Sequence, residues 1–171
     1  MRMMNIDWWN AAWSDSKVYE SLSEEQKTRL VEVEDFLGNN CLGWIKGSEK
    51  IRQALTEVLC RLPNEAGDVL LCNSDIVVID GSTSCAWSWQ YVCPTPNNIL
   101  EKWLYIVAFR AALRDMPYKA VVGEVAHELA HVFLEHRLYE PEDSQEQADA
   151  TARQWGFQEE IDFLNAQPRM V

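Results

Sequence analysis

Three residues between positions 127 and 131 have the types and spacing needed for hydrolytic chemistry. The segment reads His127-Glu128-Leu129-Ala130-His131, an HExxH motif. Histidines four positions apart project from the same face of a helix, so their rings can hold one metal ion. Zn²⁺ prefers imidazole nitrogens and tetrahedral geometry. Glu128, beside these ligands, can take a proton from the attacking water. The motif therefore predicts one zinc ion per chain, held by His127 and His131, with Glu128 as the general base.

The residues around this motif are apolar and predict a buried helix from about Lys119 to Arg137. Apolar side chains occur at Val121, Val122, Val125, Leu129, Val132 and Phe133. Histidines and a glutamate on such a helix need partners, because burying polar groups without compensation is costly. A metal ion is one such partner. The alternative is a pair of hydrogen-bonded core histidines beside a glutamate at the surface.

A catalytic zinc needs a third protein ligand and keeps one coordination position open. Glu146 is the first candidate, followed by Asp149 and then by His136. Glu146 and Asp149 are three positions apart on a helix predicted over 144–155, so they share a face. Asp149 would then hydrogen-bond a ligating histidine and fix its tautomer. His136 is disfavoured because a continuous helix turns it away from both motif histidines. The alternative for Glu146 is the solvated acidic start of a helix.

The motif and the acidic helix after it resemble those of the gluzincin metallopeptidases. The arrangement is similar to the compact ImmA/IrrE-type proteases and to the soluble relatives of the CAAX-type membrane proteases, over about residues 118–157. The resemblance implies a zincin-like fold, a peptidase activity and a carboxylate ligand from the downstream helix. These families place the ligand Glu four residues before an Asp or Asn, where this chain has Gln145. Either the helix is rotated or kinked to present Glu146, or Asp149 is the ligand, or the metal is held weakly.

Other groups that a peptidase needs are less clearly marked in the sequence. The residues that could stabilise the oxyanion of the reaction are Arg137, Tyr139 and Tyr118. Alternation of Trp87, Trp89 and Tyr91 predicts a strand, and the resemblance implies that a peptide substrate could add along its edge. Core packing between neighbouring strands is the alternative for these aromatic residues.

Composition limits the classes to which the protein can belong. The chain has 171 residues, of which 47% are hydrophobic and 25% are charged, as is typical of one globular domain. Lys and Arg total 15 against 27 Asp and Glu, which gives a net charge of -12. A nucleic-acid-binding protein needs a basic face, and an anionic membrane repels an acidic chain. We therefore expect neither nucleic acid nor a membrane as a partner.

Cysteine usage and apolar runs predict a cytoplasmic protein. The five cysteines include no CxxC pair, and we expect reduced thiols that pack as small hydrophobic groups. The N-terminus shows no apolar stretch typical of a signal peptide. The best apolar run, Trp103 to Phe109, is far too short to span a bilayer.

The predicted fold class is α+β, a single zincin-like domain over 1–171. It has a small mixed or antiparallel three-stranded sheet packed on the HExxH helix, with flanking helices. Strands are predicted at 69–72, 76–79 and 85–92, followed by a helix that Asn97 or Asn98 caps and that reaches about Leu113. The predicted parts are N-terminal helices at 1–66, the sheet at 67–93, and a helical part with the metal site at 97–165.

The function predicted from these features is zinc-dependent hydrolysis of a peptide bond in a protein or peptide, of the endopeptidase type. Two alternatives stay open: a catalytically weak or inactive zincin-fold interaction module, and a latent protease controlled by a regulatory protein partner.

Overall fold

The computed structural model describes residues 19–20, 22–40, 48–71, 76–81, 87–93, 102–138 and 145–167. For residue 40, the strand residues up to 106, and residues 110–111 and 135–138, the description covers the backbone alone. Residues 1–18 of the predicted N-terminal helices and Tyr139 lie outside the described residues.

The first helices follow the sequence signals closely. Helix α1 (Glu24–Thr28) begins with a capping box, in which Ser23 and Gln26 each accept a hydrogen bond from the other's backbone N–H. Helix α2 (Leu30–Asn40) follows after one residue and buries Val33, Phe36 and Leu37. Spacings of three and four residues place these apolar side chains on one face, which packs into the core.

Two further helices flank Pro63. Helix α3 (Glu49–Arg61) begins after Ser48 and buries an apolar face that includes Leu55 and Leu59. It ends just before Pro63, whose ring cannot continue a helix. Helix α4 (Asn64–Leu71) begins directly after this proline, and the N–H of Gly67 donates to the carbonyl oxygen of Pro63.

The strands follow α4, and the last of them is central in the sheet. They are β1 (Ile76–Gly81), β2 (Trp87–Cys93) and β3 (Lys102–Arg110), in the order β1-β3-β2. β1 is parallel to β3, with Ile76 opposite Tyr105. β2 is antiparallel to β3, with Trp89 opposite Ile106. β2 therefore lies at an edge of the described sheet.

The remaining elements are helical. A 3₁₀ turn (Ala111–Asp115) leads into α5 (Tyr118–Leu138), and α6 (Gln145–Ala152) continues through a π-helical turn (Arg153–Phe157) into α7 (Gln158–Asn165). Gly156 in the π-helical turn has φ of 93°, a left-handed conformation that glycine adopts without strain. This residue separates the axes of α6 and α7.

Helix α5 is the centre of the molecule. Every residue from 120 to 133 is buried except Glu124, which is half-buried. A helix that is apolar on nearly all sides must be surrounded by other elements. α5 packs mainly against α3, α6 and α7, and only slightly against β2 and β3. One continuous hydrophobic core joins the helices before the strands to those after them.

The predicted α+β class, with a three-stranded sheet packed on the HExxH helix, is wrong. Of the residues described to their side chains, 86% are helical, and these include only a short piece of one strand, 107–109. The fold is mostly helical because the amphipathic faces of α3, α6 and α7 cover α5. The strands contribute little to the surroundings of this helix.

Two segments have the opposite secondary structure from the prediction. The apolar residues at 69–71, predicted as a strand, complete α4. The segment at 102–110, predicted as part of a helix, is β3. Short apolar runs lack a period that separates helix from strand, and the aromatic and β-branched residues of 103–109 favour a strand. The sheet and helical parts predicted at 67–93 and 97–165 therefore have the wrong boundaries.

Within the described part of the chain, no helix combines the length and apolar character required to cross a membrane.

Candidate metal centre

The HExxH segment lies in the middle of α5, inside the helical core. His127, Glu128 and His131 are 7%, 5% and 6% exposed, respectively. Leu129 and Ala130, the two variable positions of the motif, are fully buried. Three ionisable side chains are thus withdrawn from water on one turn of a central helix, where each needs polar partners.

The two motif histidines direct the same ring nitrogen at one point. The Nε2 atoms of His127 and His131 are 3.0 Å apart. The ring centroids are 4.6 Å apart, and the ring planes are nearly perpendicular at 82°. This approach by ring edges differs from stacking. At 3.0 Å the two Nε2 atoms are within hydrogen-bonding distance, and two imidazoles arranged in this way can also share one cation.

Asp149 of α6 fixes the orientation of His127. Its Oδ1 atom lies 2.7 Å from His127 Nδ1. A carboxylate accepts hydrogen bonds, so Nδ1 carries a proton, and in the neutral ring Nε2 then directs its lone pair at His131. Asn165 of α7 donates a hydrogen bond of 2.7 Å to Asp149 Oδ2. Asp149 is therefore in the position where a partner of a motif histidine was predicted.

Gln145, the first residue of α6, lies opposite Asp149 across the His127 ring. Its Oε1 atom is 2.9 Å from His127 Nε2, and its amide nitrogen is 3.1 Å from His131 Nε2. Gln145 and Asp149 are four positions apart and share a helix face, so one helix contacts both nitrogens of His127.

The structure does not bring Glu146, the predicted third ligand, to the histidines. Glu146 is exposed. Successive helix residues are turned by about 100°, so when Gln145 faces the histidines its neighbour Glu146 points elsewhere. No group of three or more His, Cys, Asp or Glu side chains able to hold a metal occurs among the described residues. The third position beside the histidine pair belongs to Gln145.

The other candidate residues have different surroundings. Tyr118 donates a hydrogen bond of 2.9 Å to Glu57 of α3, and burial raises the pKa of its hydroxyl. This contact joins two helices. His136 and Arg137 lie in the last turns of α5, where the description covers the backbone alone.

Gln145 is the residue of this site that the sequence analysis did not choose as a ligand. The sequence feature that marks Gln145 is its position four residues before Asp149, where the resemblance places a carboxylate ligand. The preference for Glu146 rested on charge, whereas the helix period favours Gln145.

The side chains around the histidine pair fit a divalent cation. His127 Nε2 and Gln145 Oε1 are 2.9 Å apart, a distance at which either a ring N–H or a shared cation can join them. Zinc–nitrogen bonds of about 2.0–2.1 Å place neighbouring tetrahedral ligands about 3.4 Å apart, close to the 3.0 Å between the Nε2 atoms. Two imidazoles and a carboxamide oxygen are suitable ligand types for such an ion.

Comparisons with protein-family models, curated proteins and solved structures found no match to this chain. The assignment of a function therefore depends on the chemistry of the site.

Proposed function

We propose that this protein is a metal-dependent hydrolase, most simply a zinc peptidase, that cleaves a peptide bond in a protein or peptide substrate. The observation that carries the proposal is the convergence of the His127 and His131 Nε2 atoms at 3.0 Å, with Asp149 on the far nitrogen of His127. A hydrogen-bonded pair of structural histidines would also bring the two Nε2 atoms together, but it does not need the adjacent buried carboxylate of Glu128.

His127 and His131 would hold the ion, with one protein ligand from α6. When bound, a divalent ion supplies Lewis acidity, which polarises a carbonyl group and makes a water molecule more acidic. Glu128 is the proton carrier of the chain: its carboxylate accepts the proton from the attacking water and delivers it to the leaving amine. Asp149 keeps the proton of His127 on Nδ1, so that Nε2 stays available as a ligand.

Strand β2 supports a peptide as the substrate. It lies at an edge of the described sheet and contacts α5, the helix that carries the motif. An edge strand offers unpaired backbone groups to which an extended peptide can add as a further strand. Trp87, Trp89 and Tyr91 occupy alternate positions of β2 and therefore belong to one face of that strand.

A non-catalytic regulatory or interaction module is the second candidate function. The observation that favours it is the neutral side chain of Gln145 at the position where a peptidase of this type would place a carboxylate. A latent enzyme that a partner protein activates belongs to the same alternative. A cytoplasmic location is part of the proposal, and the free thiol of Cys60 is compatible with a reducing compartment.

Replacement of Glu128 by Gln tests the proposed function. The full-length protein, loaded with zinc, should hydrolyse casein or a fluorogenic peptide mixture, and Glu128→Gln should lower the rate by about 100- to 10,000-fold. Zinc stoichiometry should stay unchanged, because Glu128 is not a ligand. Glu124→Gln, one turn earlier on the same helix, is the matched control and should retain activity.

The possible outcomes separate the two functions. Near wild-type hydrolysis by Glu128→Gln would contradict the assigned general base. A wild-type protein that binds zinc stoichiometrically but hydrolyses no peptide in the mixture would favour the interaction module.

A further inference from the structure

We infer that Gln145 is the third protein ligand of the metal site, through its carboxamide oxygen, and that the ligand set is therefore neutral. The inference rests on the proposed function, because it concerns the same ion. It assigns to Gln145 the role that the sequence had suggested for Glu146.

The geometry of α6 supports this assignment first. Gln145 and Asp149 contact opposite nitrogens of His127, with Oε1 at 2.9 Å from Nε2 and Oδ1 at 2.7 Å from Nδ1. Asp149 thereby fixes the register of α6 against the ring, and the residue one turn before it must face the metal side. That residue is Gln145.

The packing of α6 also supports Gln145 as the ligand. The buried residues of this helix are Ala148 and Ala152, four positions apart on one face. Such small side chains allow the axis of α6 to approach the central helix closely. Because Ala148 faces the core, rotating α6 far enough to present Glu146 would move this buried face and break the hydrogen bond that His127 Nδ1–H donates to Asp149. The helix is therefore held in the orientation that presents Gln145.

The charge of the site follows from this ligand set. Two neutral imidazoles and a carboxamide leave the full charge of a divalent ion uncompensated by its ligands. Asp149 supplies a negative charge only through the ring of His127. We expect an ion that binds more weakly than it would with a carboxylate and that exchanges readily, so that occupancy follows the metal supply.

Metal affinity measured on paired variants tests the inference. Zinc is titrated into the metal-free full-length protein against a chelating indicator, and cobalt is titrated in parallel to follow its absorption. Gln145→Ala should weaken zinc binding at least about 10-fold, and Gln145→Glu should tighten it by a similar factor. The cobalt spectrum should change in both variants, because a ligand is lost or exchanged. Gln147→Ala, an exposed glutamine of the same helix, should match the wild type.

The opposite results would overturn the inference. If Gln145→Ala binds zinc as tightly as the wild type while His131→Ala loses it, Gln145 is not a ligand. If Glu146→Ala loses zinc and Gln145→Ala keeps it, the ligand is Glu146. Failure of the wild type to bind zinc or cobalt would overturn both this inference and the proposed function.

Failure of the proposed function alone gives a different pattern. Zinc binding that depends on Gln145, without hydrolysis of any peptide, would remove the peptidase and leave the ligand assignment intact. Hydrolysis that depends on Glu128, with unchanged metal affinity in Gln145→Ala, would retain the peptidase and remove the ligand.

Discussion

At the scale of single residues, His127 is the most constrained group of the site. Asp149 contacts one ring nitrogen, and Gln145 and His131 contact the other. Asn165 in turn holds Asp149 from α7. This chain of contacts fixes the tautomer of a buried histidine from outside the helix that carries it. Two sequence positions on α6, one turn apart, are therefore enough to define which nitrogen can bind a cation.

Asp149→Asn should weaken zinc binding by about 10- to 100-fold, because an amide can replace the hydrogen bond but not the negative charge. The measurement is a zinc titration of the purified variant. Helical circular dichroism should stay at the wild-type level, which separates a local effect on His127 from unfolding. Unchanged zinc affinity would show that Asp149 has a structural role only.

Cys60 should resist alkylation in the folded protein. Burial raises the pKa of its thiol to about 12, so almost none is thiolate at pH 8. The modified fraction of Cys60 is measured by peptide mapping after iodoacetamide treatment, with and without urea. Modification should require unfolding. Rapid modification of Cys60 at pH 8 in the folded protein would contradict its burial in the core.

At the scale of elements, the contact between α5 and α7 depends on a glycine. A Cβ atom at Gly123 would lie 2.6 Å from the backbone carbonyl oxygen of Glu160 on α7. Backbone cannot move aside as the end of a flexible side chain can. This glycine therefore permits a helix separation that a larger residue would increase, and the same α7 carries the Asn165 that holds Asp149.

Gly123→Ala should lower the free energy of unfolding by about 1–3 kcal/mol, the usual cost of overpacking. Urea denaturation measures this change. Gly38→Ala is the matched control: it lies in α2, and within the described part of the chain a Cβ there would meet nothing within 4 Å. The control should gain about 0.5–1 kcal/mol from helix propensity alone. Equal changes in the free energy of unfolding for the two substitutions would contradict the close approach of α5 and α7 at Gly123.

The elements differ in how far the sequence predicts them. Ser23 and Gln26 mark the start of α1, and the apolar spacing of α3 and α5 gives their helical period, because these signals are local. β3 was missed because its apolar run has no distinguishing period, and its strand structure comes from pairing on both sides. The meeting of the His127 and His131 rings follows from their spacing of four residues on a helix, which is a local signal. The choice between Gln145 and Glu146 depends on the rotation of α6, which tertiary packing determines.

At the scale of the whole molecule, Arg61 links a helix before the strands to the helices after them. At the end of α3, it donates to Glu57 at 2.7 Å and to Glu160 of α7 at 3.0 Å. It also donates to the carbonyl oxygen of Gly156 at 3.1 Å, and its guanidinium lies over the Phe157 ring. These contacts hold the turn between α6 and α7 against a helix that lies before the strands. The position of the histidine pair therefore depends on packing that does not involve a metal.

Chelation of a bound metal ion should therefore leave the helical core folded. α3 and α5 bury a continuous apolar core around the motif, and a chain of this size needs no metal to form one. In the presence of EDTA, far-ultraviolet circular dichroism should stay at its metal-bound level. Amide hydrogen exchange should rise within 118–157, where α6 meets α5.

Saturating zinc should raise the midpoint temperature of thermal unfolding. A ligand that binds only the folded state stabilises that state, and the stabilisation grows with the logarithm of the ligand concentration divided by Kd. His131→Ala is the control in which zinc should give no such increase. Loss of most helical signal on chelation would instead mean that the metal, and not the packing around α5, holds the fold together.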